Sequence, residues 1–195
     1  MSINLQKGQK IILTKATDKA AEPLSRVMVG LGWNEAKGAD AEVDCDASVI
    51  ICGSDGKLLG DNVKNVVYFK NLNWNGAVVH QGDNRTGGDD GDAEQIMVDL
   101  AKMPDEAKKI VFVANIYDAK AKNQHFGMLE NAYIRIVNTD SGEEICRYDL
   151  NDNYSGMSGL IAGELHSENG EWLFSALGKT VAEASRLGAI VALYR

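Results

Sequence analysis

Eleven short segments rich in β-branched, aromatic and aliphatic residues alternate with Gly, Asn and Asp punctuation along the chain, a rhythm that leaves little room for anything but strands. They are KIILT, RVMVGLGW, VDCDASVIIC, VVYF, AVVH, QIMVDL, KIVFVANIY, AYIRIVN, EEICRYDL, GLIAGEL and EWLFSAL. Turns such as SDGK, WNGA, DSGE and ENGE stand between them, with Gly supplying the backbone freedom that tight hairpins require. Twenty glycines in 195 residues, about 10%, exceed the ordinary share of about 7%. The spacing predicts an all-β fold, mainly an antiparallel β-sandwich. No repeat, low-complexity tract or Pro-rich linker divides it, so residues 1–195 are expected to form one domain.

Alternation shows which faces turn inward. In EWLFSAL, Trp172, Phe174 and Ala176 share one face; in EEICRYDL, Cys146, Tyr148 and Leu150 oppose Ile145, Arg147 and Asp149. IVFVANIY, from Ile110 to Tyr117, is apolar almost throughout, as a central strand covered on both sides should be. One or two short peripheral helices are expected. MPDEAKK places Pro104 and two acids ahead of two lysines, and Thr180 with Glu183 has the spacing of a capping box for TVAEASRLGAIVALY.

Charge excludes several classes of partner. With 20 Lys plus Arg against 28 Asp plus Glu, the formal net charge is −8. The close basic pairs are Lys108-Lys109 and Lys120/Lys122, too few to hold nucleic-acid phosphate or anionic lipid against that surplus. The start, MSINLQKGQKII, lacks the basic and apolar regions of a signal peptide, and no apolar run approaches the ~20 residues a membrane helix needs, so a cytoplasmic protein without membrane insertion is expected. Three cysteines, Cys45, Cys52 and Cys146, with no CxxC and no His at zinc spacing, argue for buried apolar thiols. Cys45 and Cys52 lie seven apart in one strand and so point to opposite faces.

Half of the net charge sits in one segment. Between Asp83 and Glu94 stand Asp83, Asp89, Asp90, Asp92 and Glu94 against Arg85 alone. Hard oxygen donors among glycines suit Ca²⁺, which takes about 6 to 8 oxygen ligands from carboxylates, amides and backbone carbonyls. Asp83, Asn84, Asp90, Asp92 and Glu94 offer side-chain oxygens and Thr86 a backbone carbonyl. The segment is not an EF-hand: counting from Asp90 puts Gln95 where Gly belongs and Ala101 where Glu belongs, and counting from Asp149 puts Tyr154 and Leu160 there. Asp44 and Asp46 add a second pair. Residues i and i+2 of a strand point the same way about 6 to 7 Å apart, and two such carboxylates in an apolar segment call for solvent, raised pKa values or a shared cation. Asp118 ends the central strand. Acidic Gly-rich loops also serve as solubilising turns, and on residue chemistry alone both readings stand.

With these residues in view, the sequence resembles the TerD-domain proteins of bacterial tellurium resistance and stress response. The resemblance is carried by VGLGW (29–33), VDCDAS (43–48), GDNRTG with the following acids (82–94), KIVFVANIYDA (109–119), FGMLENAYIRIVN (126–138), RYDL (147–150) and GEL (163–165), in family order over nearly the whole chain. It implies a β-sandwich that binds one or two Ca²⁺ ions through the two strand aspartates and the GDN loop, with no catalysis. The motif acids carried over are Asp44, Asp46, Asp83, Asn84, Asp90, Asp92 and Glu94, with Asp118 beside them. Departures fall at Ala93, Asp89 and Asn34, where the family usually has an acid, a Gly and an acid; they bear on a second ion more than on the first.

The expected function is therefore a calcium-binding stress-response protein whose acidic loops are ordered by Ca²⁺. The resemblance further implies partners among other tellurium-resistance proteins, including a membrane component. A calcium-independent interaction module is the alternative. A Mg²⁺-dependent phosphoryl-transfer enzyme is a weaker one, since no Walker loop, Ser-His-Asp set or nucleophile elbow occurs.

Overall fold

The computed structural model describes residues 2–13, 24–35, 43–82, 91–150, 152–184 and 186–195. The first strands are β1 (Ile3–Leu5), β2 (Lys10–Ile12), β3 (Arg26–Glu35), β4 (Cys45–Cys52), β5 (Val66–Val67), β6 (Asn73–Trp74) and β7 (Val78–His80). They continue as β8 (Glu94–Asp99), β9 (Lys109–Ile116), β10 (Leu129–Asn138), β11 (Glu144–Asp149), β12 (Gly159–Glu168) and β13 (Glu171–Val181). One sheet has the order β1-β11-β10-β3-β8-β7-β6, the other β2-β13-β12-β9-β4-β5. Every described pairing is antiparallel except β1 with β11.

The sheets face each other over one core. Val29, Leu31, Ile96, Ile134 and Ile136 from the first sheet join Val49, Ile51, Phe112, Leu165 and Phe174 from the second. The expected inward faces are the observed ones: Trp172, Phe174 and Ala176 lie in this core, as do Cys146, Tyr148 and Leu150. β9 is central, between β12 and β4, and its other face is covered as its apolar sequence requires. There Val111 and Val113 pack with Ile50, Cys52 and Ile161 beneath Ile190 and Val191 of a short helix. Cys45 and Cys52 belong to the two different clusters, and all three thiols are buried and free.

The helices are where sequence expectation and structure part. Thr180 and Val181 finish β13, with Thr180 opposite Leu160, so the Thr180–Glu183 capping box does not form. The ladder to β12 gives each residue a partner strand that a four-turn helix would forfeit. The α-helix here is only Leu187–Val191, followed by a 3-10 turn to Tyr194. The hydroxyl of Ser158 pins the approach to it, accepting from the Ala184 amide and donating to the Ala182 carbonyl, each at 2.9 Å. MPDEAKK is likewise no helix. The Ala107 amide closes a turn onto the Pro104 carbonyl at 3.0 Å, Lys108 already bonds Cys52, and Lys109 opens β9. A four-residue helix at Ala119–Lys122, α1, carries no clear signal in the sequence, and the Leu187–Val191 helix is α2. Among the described residues no helix is long and apolar enough to cross a membrane.

Candidate metal centre at one end of the sandwich

Asp44 precedes β4 and Asp46 is its second residue. Cys45, Ala47, Val49 and Ile51 point into the core, so the alternate positions, Asp44, Asp46 and Ser48, face the outside of the six-stranded sheet. Antiparallel pairing sets Asp46 opposite Asn115, and the Tyr117 amide donates to the Asp44 carbonyl at 2.7 Å, which carries the ladder past the strand end. The two aspartates therefore do share a face. Asp46 is buried, whereas Asp44 keeps some contact with solvent, with the Lys122 ammonium 3.7 Å from its Oδ2. Asp118 follows β9 at the same end with φ 56°, a left-handed conformation that Asp tolerates better than most residues. The Arg186 guanidinium stands 3.9 Å from its carboxylate. Both cations approach these acids without closing a hydrogen bond.

The root of the acidic segment is tied to the same place from the other sheet. Glu94, the first residue of β8, points inward and accepts the Ala47 amide at 2.6 Å. His80, the last residue of β7, is equally buried, with Nε2 3.2 Å from the Ala47 carbonyl and 3.3 Å from Glu94 Oε2. Its Nδ1 accepts the Gly82 amide at 3.2 Å, so the ring proton belongs on Nε2. One residue of β4 thus meets both strands that flank residues 83–90. The burial of Cys45 pushes its thiol well above the ordinary value of 9.0, and the negative charges of Glu94, Asp46 and Asp44 push the same way.

Asp92 goes elsewhere. Its carboxylate lies over Gly30, where any side chain would collide with it, and Gly30 faces outward because Val29 and Leu31 face the core. There it accepts Arg135 Nε at 2.7 Å and Nη2 at 2.8 Å, the Tyr133 hydroxyl at 3.0 Å and Gln95 Nε2 at 3.0 Å. Arg147 stacks on the Tyr133 ring, 3.6 Å from its centroid. Asp92 and Asp46 are consequently on the outer faces of opposite sheets, separated by a sandwich whose sheets pack about 10 Å apart. Of the nine residues expected to hold metal, the structure brings Asp44, Asp46 and Asp118 to one end, turns Glu94 into the core and seats Asp92 against Arg135. Asp83, Asn84, Thr86 and Asp90 lie outside the described residues.

Among the described residues no three His, Cys, Asp or Glu side chains converge as a complete metal cluster would. The oxygen donors at this end are of the kind a hard cation takes. Asp46 and Ser48 of β4, with Asn115 of β9 and Tyr117 just past it, line a cavity of about 230 Å³ together with the turn at Tyr68–Lys70 and Arg186. Asn115 Oδ1 is buried and meets no hydrogen-bond donor. Carboxylate, amide and hydroxyl oxygens without a nearby sulfur donor on that face suit Ca²⁺ or Mg²⁺ rather than a softer metal.

Sequence reasoning passed over Asn115 and Arg135. Each left a signal: a lone amide inside IVFVANIY and a lone guanidinium inside AYIRIVN, polar groups in segments otherwise made to be buried.

Comparison with known proteins agrees with this architecture. The TerD domain pattern matches residues 1–194. Over 206 aligned residues, covering all of both chains, the sequence is 44% identical to stress response protein SCP2 of Bacillus subtilis (strain 168). It is 40% identical to tellurium resistance protein TerD of Serratia marcescens over 195 residues, spanning 100% of this chain and 97% of that one. The crystal structure of a homologue of telluride resistance protein (TerD) from Streptomyces coelicolor A3(2) superposes with a TM-score of 0.62 at 18% identity, over 81% of this chain and 90% of that chain, a likeness of fold.

Proposed function

Because the chain belongs to the TerD domain family of tellurium-resistance and stress-response proteins, we propose that it is a cytoplasmic calcium-binding member of that family. One observation supports the calcium reading: the buried His80–Ala47–Glu94 contacts tie β7 and β8, the strands that flank the acidic 83–90 segment in sequence, to the strand that bears Asp44 and Asp46. Asp44, Asp46, Asp83, Asp90 and Asp118 supply five formal charges, with Asn84 and the Thr86 carbonyl as neutral donors. Bound calcium would supply positive charge to offset theirs.

The role proposed is binding rather than catalysis. Calcium would order the loop end of the sandwich into a surface for other stress proteins, including a membrane-associated one. Titration with Ca²⁺ while counting bound ions tests this. Saturable binding of one or two ions per chain, lost in Asp44→Asn and in Asp83→Asn, is expected; a wild-type chain that binds none overturns the reading.

A further inference from the structure

We propose that the cleft between α2 and the turns flanking β5 binds one anionic amphiphile, an apolar chain ending in a carboxylate or phosphate. The inference goes beyond the calcium reading and uses none of the acids assigned there.

The cleft holds a cavity of about 510 Å³, within the range of about 300–1,000 Å³ usual for small-molecule sites. Val66 of β5 and Val191 of α2 line it and belong to the buried cluster on the outer side of the six-stranded sheet, with Tyr68 and Leu187 packed alongside. Val63, also in the lining, is 58% exposed. An apolar chain laid here would cover surface that the fold leaves to water.

Charge selects the head group. The chain carries −8, yet no Asp or Glu side chain lines this cavity, whereas Lys64 and Arg195 do. Tyr68, Leu187 and Gly188 also line the adjoining cavity of about 230 Å³, which brings Lys70 and Arg186 with Asp46 as its one acid. Asp61 holds Arg195 at 3.1 Å, and Asp118 stands 3.9 Å from Arg186. Lys64 and Lys70 have no acidic partner among the described residues; Lys70 lies over the Phe69 ring at 5.2 Å. Asn71 Nδ2 donates to the Lys64 carbonyl at 3.2 Å and to the Val66 carbonyl at 2.7 Å, which staples both lysines into one wall. A membrane surface needs a broad basic patch, but one head group needs only such a pair.

Gly188 lines both cavities where they adjoin. It is the second residue of α2, and Gly weakens a helix relative to Ala. Its φ lies outside the left-handed region and no atom comes within 4 Å of where a Cβ would stand, so neither backbone nor packing requires Gly. What the missing side chain provides is room between the apolar cavity and the lysine at Lys70.

Calorimetric titration of the whole chain with decanoate, decyl phosphate, decanol and decyltrimethylammonium tests this. Saturable binding of one decanoate or decyl phosphate per chain, below micelle-forming concentrations, is expected, and the tighter of the two identifies the head group. Affinity should rise up to about fourfold per methylene from hexanoate to decanoate as more chain is buried. The double variant Lys64→Gln/Lys70→Gln should weaken decanoate about three- to twentyfold, as losing two exposed ion pairs would, and leave decanol unchanged. Gly188→Phe and Ala192→Phe should each abolish saturable binding by filling the cleft, and Gly188→Phe should melt no lower than wild type. A wild type that binds neither anion, equal affinity for decyltrimethylammonium, or Phe variants that bind normally overturns the assignment. So does binding to phosphatidylglycerol vesicles without saturable uptake of the monomers. All of these leave the calcium reading intact.

Discussion

At the scale of the residue, chemically identical side chains are given different work by the face they occupy. Asp44 and Asp92 are both motif acids, yet Asp44 looks outward beside a loosely held Lys122 and Asp92 is locked to Arg135 by two hydrogen bonds. The substitutions should therefore behave oppositely. Asp92→Asn leaves the partly exposed Arg135 with Glu144 alone, at a cost of about 1–3 kcal/mol and a melting temperature roughly 3–10 °C lower in chelator, with the calcium-induced shift retained. Asp44→Asn should cost little in chelator and remove most of that shift. Thermal melts of both variants with and without calcium decide it, and an Asp92→Asn protein of unchanged stability that has lost its calcium response contradicts the assignment. Sequence spacing could not make this distinction. Asp92 sits two residues before Glu94 in the same acidic run, and what separates them is a glycine far upstream, Gly30, whose missing side chain opens the outer face of β3.

The elements were legible where alternation was strong and illegible where context had to choose. Period-two faces in β11 and β13 and the unbroken apolar run of β9 specify both strand and burial, because each buried face has one way to sit over the core. The segment from Thr180 carries helix signals of equal quality, but its first two residues extend a hairpin strand already long, β13 reaching 11 residues. A ladder in place outweighs a capping box that has yet to nucleate a turn. The short β1 and β6, three and two residues, carry no pattern at all. What remains of the expected C-terminal helix, α2, nevertheless seals one face of the sandwich. Its Ile190 and Val191 cover Ile50, Val111, Val113 and Ile161, an apolar cluster that lies outside the two-sheet core. Ile190→Ala is expected to cost about 2–4 kcal/mol and roughly 5–15 °C of melting temperature in calcium and chelator alike, a loss set by burial rather than by charge. A change below about 2 °C would mean that the helix does not seal that face.

For the molecule as a whole, the buried thiols and phenols of high pKa set the alkaline boundary of stability. Burial raises Cys52 and Cys146 from 9.0 to about 12 and Tyr133 from 10.0 to about 12. The folded state holds those protons after the unfolded chain has released its own, so stability is full below about pH 9 and falls as pH rises toward 12. Urea midpoints at pH 8, 10 and 11 should decline in that order; a flat series would place these groups in contact with solvent.

The acidic run at 83–94 divides between two places: Asp92 is paired with Arg135 on the outer face of the seven-stranded sheet, and Glu94 is turned into the core against Ala47 and His80. Five acids, Asp44, Asp46, Asp83, Asp90 and Asp118, are left for the proposed ion. The most direct measurement is the melting temperature in chelator against calcium at about 100 times its Kd, where an ion that binds the folded state alone adds about 2.7 kcal/mol. That is a rise of roughly 5–10 °C for a chain of this length, nearly abolished in Asp44→Asn and in Asp83→Asn. A wild-type melting temperature identical in the two conditions would contradict the account.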